Sequence, residues 1–312
     1  MIKLSSHAFE KAIETVRQTG RDLEKALIAL YFFDGSASDV SNALKGFQNP
    51  DGGFGRGIEP DYALELSSPL ATSVGLGAIS RHCQDDVPSQ MIEKAVRYLK
   101  KTFNTQQQRW YAVPAEVNDS PHAPWWHFNT DTRMSVIDYS WGNPTAEIIG
   151  YLLDFQAHVN EWDIDSLNRL AVENMERMDT FQSEHELFCY IRLYERQPDA
   201  GLKGRLEKKI TQAVGQLLCQ DPSKWFLEYL PKPLDFVESH DANRFGIDEG
   251  LLEQNLQMLI AILEEKGKIS PAWQWGQYPD SWQEAEKKWT GVLTVKALLQ
   301  LKAFDKIDVN FK

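Results

Sequence analysis

The sequence predicts an all-α fold, a barrel of paired helices in two concentric layers with its functional loops gathered at one end. Three observations predict it. Helical periodicity runs along nearly the whole chain, and no period-2 stretch stands out as a strand. Apolar or small-residue-rich helices alternate with helices that carry a charged face, as inner and outer layers would. The connections alternate too, short in one direction and long and aromatic in the other.

Segments 7–18 and 22–33 read as helices, followed by a shorter one at 38–47 and a glycine-rich loop at 48–67. Ser68 and Pro69 then provide a cap residue and a first-position proline for a helix over 69–82. Its Ala71, Thr72, Ser73, Gly75, Gly77 and Ala78 allow neighbours to approach closely, at a cost in helix propensity that packing must offset. Helix 89–102 is amphipathic and charged, and the forty residues of 103–142 are too many for a mere connector. Asn143-Pro144 opens helix 144–157, and helix 162–179 is more polar. Ser183 to Glu186 has the spacing of a capping box and opens helix 184–196. A charged helix at 202–219, a loop at 220–246, a helix at 248–265, a Trp-rich loop at 266–288 and a helix at 289–302 complete the chain.

The inner layer is expected from 69–82, 144–157, 184–196, 248–265 and 289–302, and the outer layer from 89–102, 162–179 and 202–219. In an up-down arrangement alternate loops share an end. The long loops 48–67, 103–142, 220–246 and 266–288 are therefore expected together, beside the N-termini of the inner helices, where function usually sits. A long α-solenoid is the alternative, but no fixed short period is present. A single domain over 1–312 is expected.

The formal charge of −12 disfavours a nucleic-acid partner. Cys83, Cys189 and Cys219 are odd in number and lack metal-knuckle spacing, which points to a reducing compartment. The amphipathic N-terminus lacks the apolar run of a signal peptide, and no stretch is long enough for a membrane span. Cytoplasmic residence is the expectation.

Phe47-Gln48-Asn49-Pro50-Asp51-Gly52-Gly53-Phe54-Gly55, running on into Ser68-Pro69-Leu70-Ala71-Thr72, resembles the repeat of protein prenyltransferase β-subunits and of squalene and terpenoid cyclases. The resemblance covers roughly 44–82, and Trp273 to Leu301, with Trp289-Thr290-Gly291, looks like a degenerate copy. It implies an (α/α) toroid of about five to six helical hairpins around a central apolar cavity that holds a small-molecule ligand. The chain also looks like a bacterial branch of toroid proteins with no assigned reaction, through Gly57-Ile58-Glu59-Pro60-Asp61, Pro121-His122-Ala123-Pro124-Trp125-Trp126 and Asn143-Pro144. The chemistry-bearing motifs of the better-known families are missing: the Asp-x-Asp-Asp acid of the cyclases has only Asp131-Thr132-Arg133-Met134 as its nearest counterpart, and Asp85-Asp86 does not continue into an aspartate-rich diphosphate motif.

Candidate residues follow from the loops. Asp51 reads as a turn cap. Glu59 and Asp61 flank Pro60, which fixes their relative direction, and paired carboxylates in a dry site can share a proton, hold a metal or divide acid and base roles. Either can instead serve as a loop cap or pair with Arg56. His122 lies between two prolines, and histidine is the side chain whose ordinary pKa is nearest neutrality, so it is the third catalytic candidate. Trp125, Trp126 and His127 are expected to wall a pocket or to pack the loop onto the barrel rim. Asn143, His185, Trp225 and His240 are the remaining candidates for substrate contact, with Asn143 also readable as a helix cap. Nothing in the spacing requires a metal, and no cofactor is specified. The functional expectation is an enzyme acting on an isoprenoid or other apolar substrate. A carbohydrate-active (α/α)-barrel enzyme with paired carboxylates and a non-catalytic binding toroid are the alternatives.

Overall fold

A computed structural model describes residues 2–159 and 162–309, and its secondary structure is overwhelmingly helical. In chain order the helices are α1 (Ser6–Thr19), α2 (Asp22–Phe32), α3 (Ala37–Lys45), α4 (Pro69–His82), α5 (Ser89–Thr102) and α6 (Gly142–Asp154). There follow α7 (Ile164–Glu176), α8 (Glu184–Glu195), α9 (Ala200–Leu217), α10 (Pro233–Phe236), α11 (Glu249–Lys266) and α12 (Pro279–Ala303).

The chain divides into two compact units, each discontinuous in sequence. One takes the chain up to Ala43, Leu218–Gln274 and everything from Pro279 on; the other takes Leu44–Leu217 and the four residues Trp275–Tyr278. In the first unit α1 packs against α2, α11 and α12, α12 packs against α2, and α10 lies on α11.

The second unit carries the layered pattern. Helix α6 lies between α4 and α8, with α7 also against it; α5 packs on α4, and α9 on α7 and α8. Gly142 through Leu153 of α6 are all buried, as an internal helix requires. Helix α5, by contrast, buries one stripe of Met91, Ile92, Ala95, Val96, Tyr98 and Leu99. At the start of α4 the Ser68 hydroxyl accepts the Ala71 N–H at 3.0 Å, with Pro69 at the first position.

The Gln48–Gly55 turn docks on this scaffold through contacts its residue types predict. The Gln48 amide donates to the carbonyls of Gly52 and Met91, both at 2.9 Å. Asp51 Oδ1 accepts from the Gly53 N–H and the Ser67 hydroxyl, so Asp51 is a turn cap. Phe54 is fully buried against Gly75 of α4, where a β-carbon would lie 2.6 Å from the ring. Gly52 has φ +97°, and a β-carbon there would strike the Lys94 carbonyl.

Two features differ from the sequence reading. Loop 103–142 contains a small antiparallel hairpin, β1 (Phe128–Asn129) and β2 (Met134–Ser135), whose strands are too short to show alternation. The last helix begins at Pro279 rather than near 289. Its first turns are polar enough to read as loop, but Pro279 can open a helix, and Trp282, Ala285 and Trp289 lie on one helical face.

Candidate functional site

The second unit brings loop 55–64, loop 120–127 and residues 275–278 together. Tyr62 and His122 form an antiparallel bridge, flanked by Ala63 N–H to Pro121 O and Ala123 N–H to Asp61 O, both at 2.8 Å. Residues 275–278 clamp this pair of loops. The Trp275 indole N–H donates to Asp61 Oδ1 at 2.9 Å inside the unit, and the Gln277 amide donates to the His122 carbonyl at 2.8 Å.

His122 is buried, with 2% of its surface exposed, while His127 is exposed. His122 Nδ1 lies 2.6 Å from the Ser120 carbonyl, and its Nε2 lies 3.3 Å from His127 Nδ1. A carbonyl can only accept, so His122 Nδ1 is the ring nitrogen that carries a proton toward Ser120. With His122 Nε2 as acceptor, the donor in this contact is His127 Nδ1. The ring centres are 5.5 Å apart with planes 18° from parallel. That separation is close to the N–N gap plus both ring radii, so the imidazoles meet end to end, as a near-linear hydrogen bond requires. The contacts form a row of carbonyl, buried imidazole and exposed imidazole.

Local structure holds the row in place. A 3-10 turn over Pro124–Trp126 delivers His127, and the Asn118 side chain pins the next residue by donating to Phe128 O and accepting from Phe128 N–H. The Tyr278 ring lies 5.8 Å from His122, and Trp126 meets Tyr62 edge to face at 5.6 Å. The Trp126 indole N–H is buried without a hydrogen-bond partner. The Tyr62 phenol is pushed well above its usual pKa, chiefly by burial and then by nearby Glu59.

The two carboxylates expected to pair each accept a hydrogen bond from a different donor. Glu59 Oε1 accepts the Asp61 N–H at 3.2 Å, and Asp61 takes the Trp275 indole. Arg56 is bonded to Asn49 Oδ1 and Gly46 O. Trp125 is half-buried in the 3-10 turn.

The remaining candidates lie elsewhere. Asn143 is buried with extended backbone just before Pro144, so the regular part of α6 starts at the proline. His185 is exposed on α8, near Glu184 and edge-on to Phe188. Trp225 and His240 belong to the other unit: Trp225 is 1% exposed and donates to Cys219 O, and His240 is exposed and meets the Phe304 ring at 5.0 Å.

Sequence reasoning missed a polar ladder across α4, α6 and α8. Glu147 of α6 accepts from the Ser73 hydroxyl and from Arg192 at 2.8 Å; one step along, Asp154 accepts from Ser80 and from Arg196 at 2.7 Å. Between these rungs Arg196 lies over the Tyr151 ring, and the Tyr151 hydroxyl occupies the space that Gly77 leaves open. Burial, and then Glu147, push the Tyr151 phenol above its usual range. The signal was available: Ser73/Ser80, Glu147/Asp154 and Arg192/Arg196 recur at i+7, i+7 and i+4 on three helices expected in one layer.

Among the described residues no helix is long and apolar enough to cross a membrane, and no group of three or more His, Cys, Asp or Glu side chains is placed to hold a metal ion. Comparison with protein-family models, curated proteins and solved structures gives no match to the chain.

Proposed function

We propose that this chain is an acid–base enzyme whose proton-transfer group is the His122–His127 relay, built on a single-domain (α/α) toroid. The relay carries the reading: a buried imidazole of fixed tautomer orients an exposed one and leaves the outer Nε2 ready to take a proton. His127 is the group that meets the substrate, and His122 positions it. Glu59 accepts the Asp61 N–H and Asp61 the Trp275 indole, roles that fasten the loop and lend less support to the carbohydrate-hydrolase alternative.

An imidazolium is too weak an acid to protonate an unactivated alkene. The reaction this relay suits is therefore removal of a proton from an O–H, N–H or S–H group during transfer to or from that atom. Together with the Gln48–Gly55 turn and the exposed Tyr278 ring beside His122, this supports an isoprenoid or similarly apolar substrate bearing or receiving such a group.

Long-range proton–nitrogen correlation spectra of the imidazoles above neutral pH should show protonated Nδ1 on both rings. An Nε2-protonated ring at either position removes the relay. In assays pairing prenyl diphosphates with alcohol and thiol acceptors, His127→Asn should lower kcat by roughly 10²- to 10⁴-fold with little change in KM. His122→Asn should lower kcat less and distort the pH profile. Absence of turnover by the unmodified protein across the panel would refute the reading.

A further inference from the structure

A surface groove lies at the start of α7, on residues that the relay does not use. An open groove of about 440 Å³ runs beside the first turns of this helix, a size within the ~300–1,000 Å³ usual for small-ligand pockets. Trp162, Leu167 and Leu170 supply its apolar surface, and Gln108, Arg169 and Glu173 its polar edge.

The indole of Trp162 is held before any ligand arrives. It packs against Phe103 and Trp110, each with ring centres 5.5 Å away and planes 70° and 65° apart. Those two rings also pack on each other at 4.7 Å, and Trp110 is fully buried with its N–H on Leu99 O. Trp162 is itself only half-buried, so a flat apolar surface reaches the groove from a rigid support.

The edge is charged but balanced. Both oxygens of Asp163 are occupied by Ser166, one by its N–H and one by its hydroxyl, and Arg169 bonds the same hydroxyl. Glu173 has Arg177 at 3.3 Å. A strongly charged ligand would find no surplus of opposite charge. What remains is a mixture of donors and acceptors around an aromatic plane: the Gln108 amide, the Arg169 guanidinium and the Glu173 carboxylate. That combination matches a neutral polyol with one apolar ring face.

We propose that this groove binds a neutral sugar residue of an oligosaccharide, the face bearing its axial hydrogens laid on Trp162 and its hydroxyls bonded by Gln108, Arg169 and Glu173.

The test titrates the full-length protein with neutral tetrasaccharides of β-1,4-glucan, α-1,4-glucan, xylan and N-acetylglucosamine, read by tryptophan fluorescence and saturation-transfer NMR. At least one should bind with Kd of about 1 mM or tighter, equivalent to about −4 kcal/mol, with saturation strongest on the hydrogens of one ring face. Trp162→Ala should weaken binding at least about tenfold. Because that change also disturbs Phe103 and Trp110, Arg169→Ala is the companion variant. It alters only an exposed position and should weaken binding about three- to tenfold, the range of one lost hydrogen bond. No binding by any of the four sugars, or binding unchanged in both variants, overturns the proposal. The relay residues take no part in either readout, so failure here leaves the acid–base reading standing.

Discussion

Glu186 sits in the first turn of α8 with its carboxylate accepting the Gly142 N–H at 2.7 Å. Burial pushes its pKa above the usual carboxylate range, against the pull of that hydrogen bond and of Arg109. The consequence for stability has a definite sign. The folded state holds this proton to higher pH than the unfolded chain does, so the contribution is complete below the ordinary value of 4.5 and is lost as pH rises through the raised one. Glu186→Gln keeps an oxygen for Gly142 and removes the ionisation. Chemical denaturation should show the variant gaining on the unmodified protein by about 1 kcal/mol between acidic and neutral pH, and a constant difference would show that Glu186 does not titrate in that range. The residue also marks a limit of reading locally. Its spacing from Ser183 is that of a reciprocal cap, and the Ser183 hydroxyl does accept the Glu186 N–H, but the carboxylate goes to Gly142, 44 residues away. The same limit applies at His122. Its prolines and neighbours singled it out, but its hydrogen bonds depend on where His127 and the Ser120 carbonyl fall.

At the scale of elements, α4 shows what a helix pays no attention to in isolation and what its neighbours require. Gly75 and Gly77 lower its intrinsic propensity by about 1 kcal/mol each relative to alanine. In the structure Gly75 faces the buried ring of Phe54 and Gly77 faces the Tyr151 hydroxyl, with a β-carbon at either position falling 2.6 Å from the nearest atom. Gly75→Ala should therefore destabilise despite its better propensity, by about 1–3 kcal/mol net, as overpacking against a ring that has nowhere to move. Thermal melting checks it, and an unchanged or raised Tm would mean that Phe54 is free to shift. Helices α4 and α5 were legible to the residue, α4 because Ser68 and Pro69 mark its start and α5 because its amphipathic pattern keeps one period. Helix α12 was legible only in its second half. A run of charge and tryptophan resembles loop composition unless its ring positions are checked against a 3.6-residue period. The hairpin at 128–135 gave no sequence signal, since a strand of two residues is defined by its partner.

At the scale of the molecule, two discontinuous units each carry their own polar fastenings. In the first, burial raises the Asp235 carboxyl, but Lys296 at 3.2 Å and Lys232 at 2.9 Å outweigh it and hold the pKa at about 2. This stabilisation is present above the unfolded value of 3.8 and disappears as pH falls toward 2. Asp235→Asn should cost up to about 2 kcal/mol at neutral pH and almost nothing in strong acid, measured as urea midpoints at the two extremes. An equal loss at both would assign the effect to packing. Layering of the 69–217 stretch was readable in advance from helix character and loop length, because both are consequences of which faces meet water. The division of the chain was not readable, since it depends on contacts between segments more than two hundred residues apart.

Four residues make that division consequential for anyone cutting the gene. A fragment covering 44–217 looks self-sufficient in sequence order, yet it omits Trp275 and Gln277, which supply hydrogens to the buried Asp61 carboxylate and to the His122 carbonyl. Such a fragment would present its two loops without the Trp275 hydrogen bond to Asp61 and without the Gln277 clamp on the His122 carbonyl. A synthetic peptide carrying residues 275–278 and their flanks is then the missing part, and restoring it in trans should bring back both contacts at once.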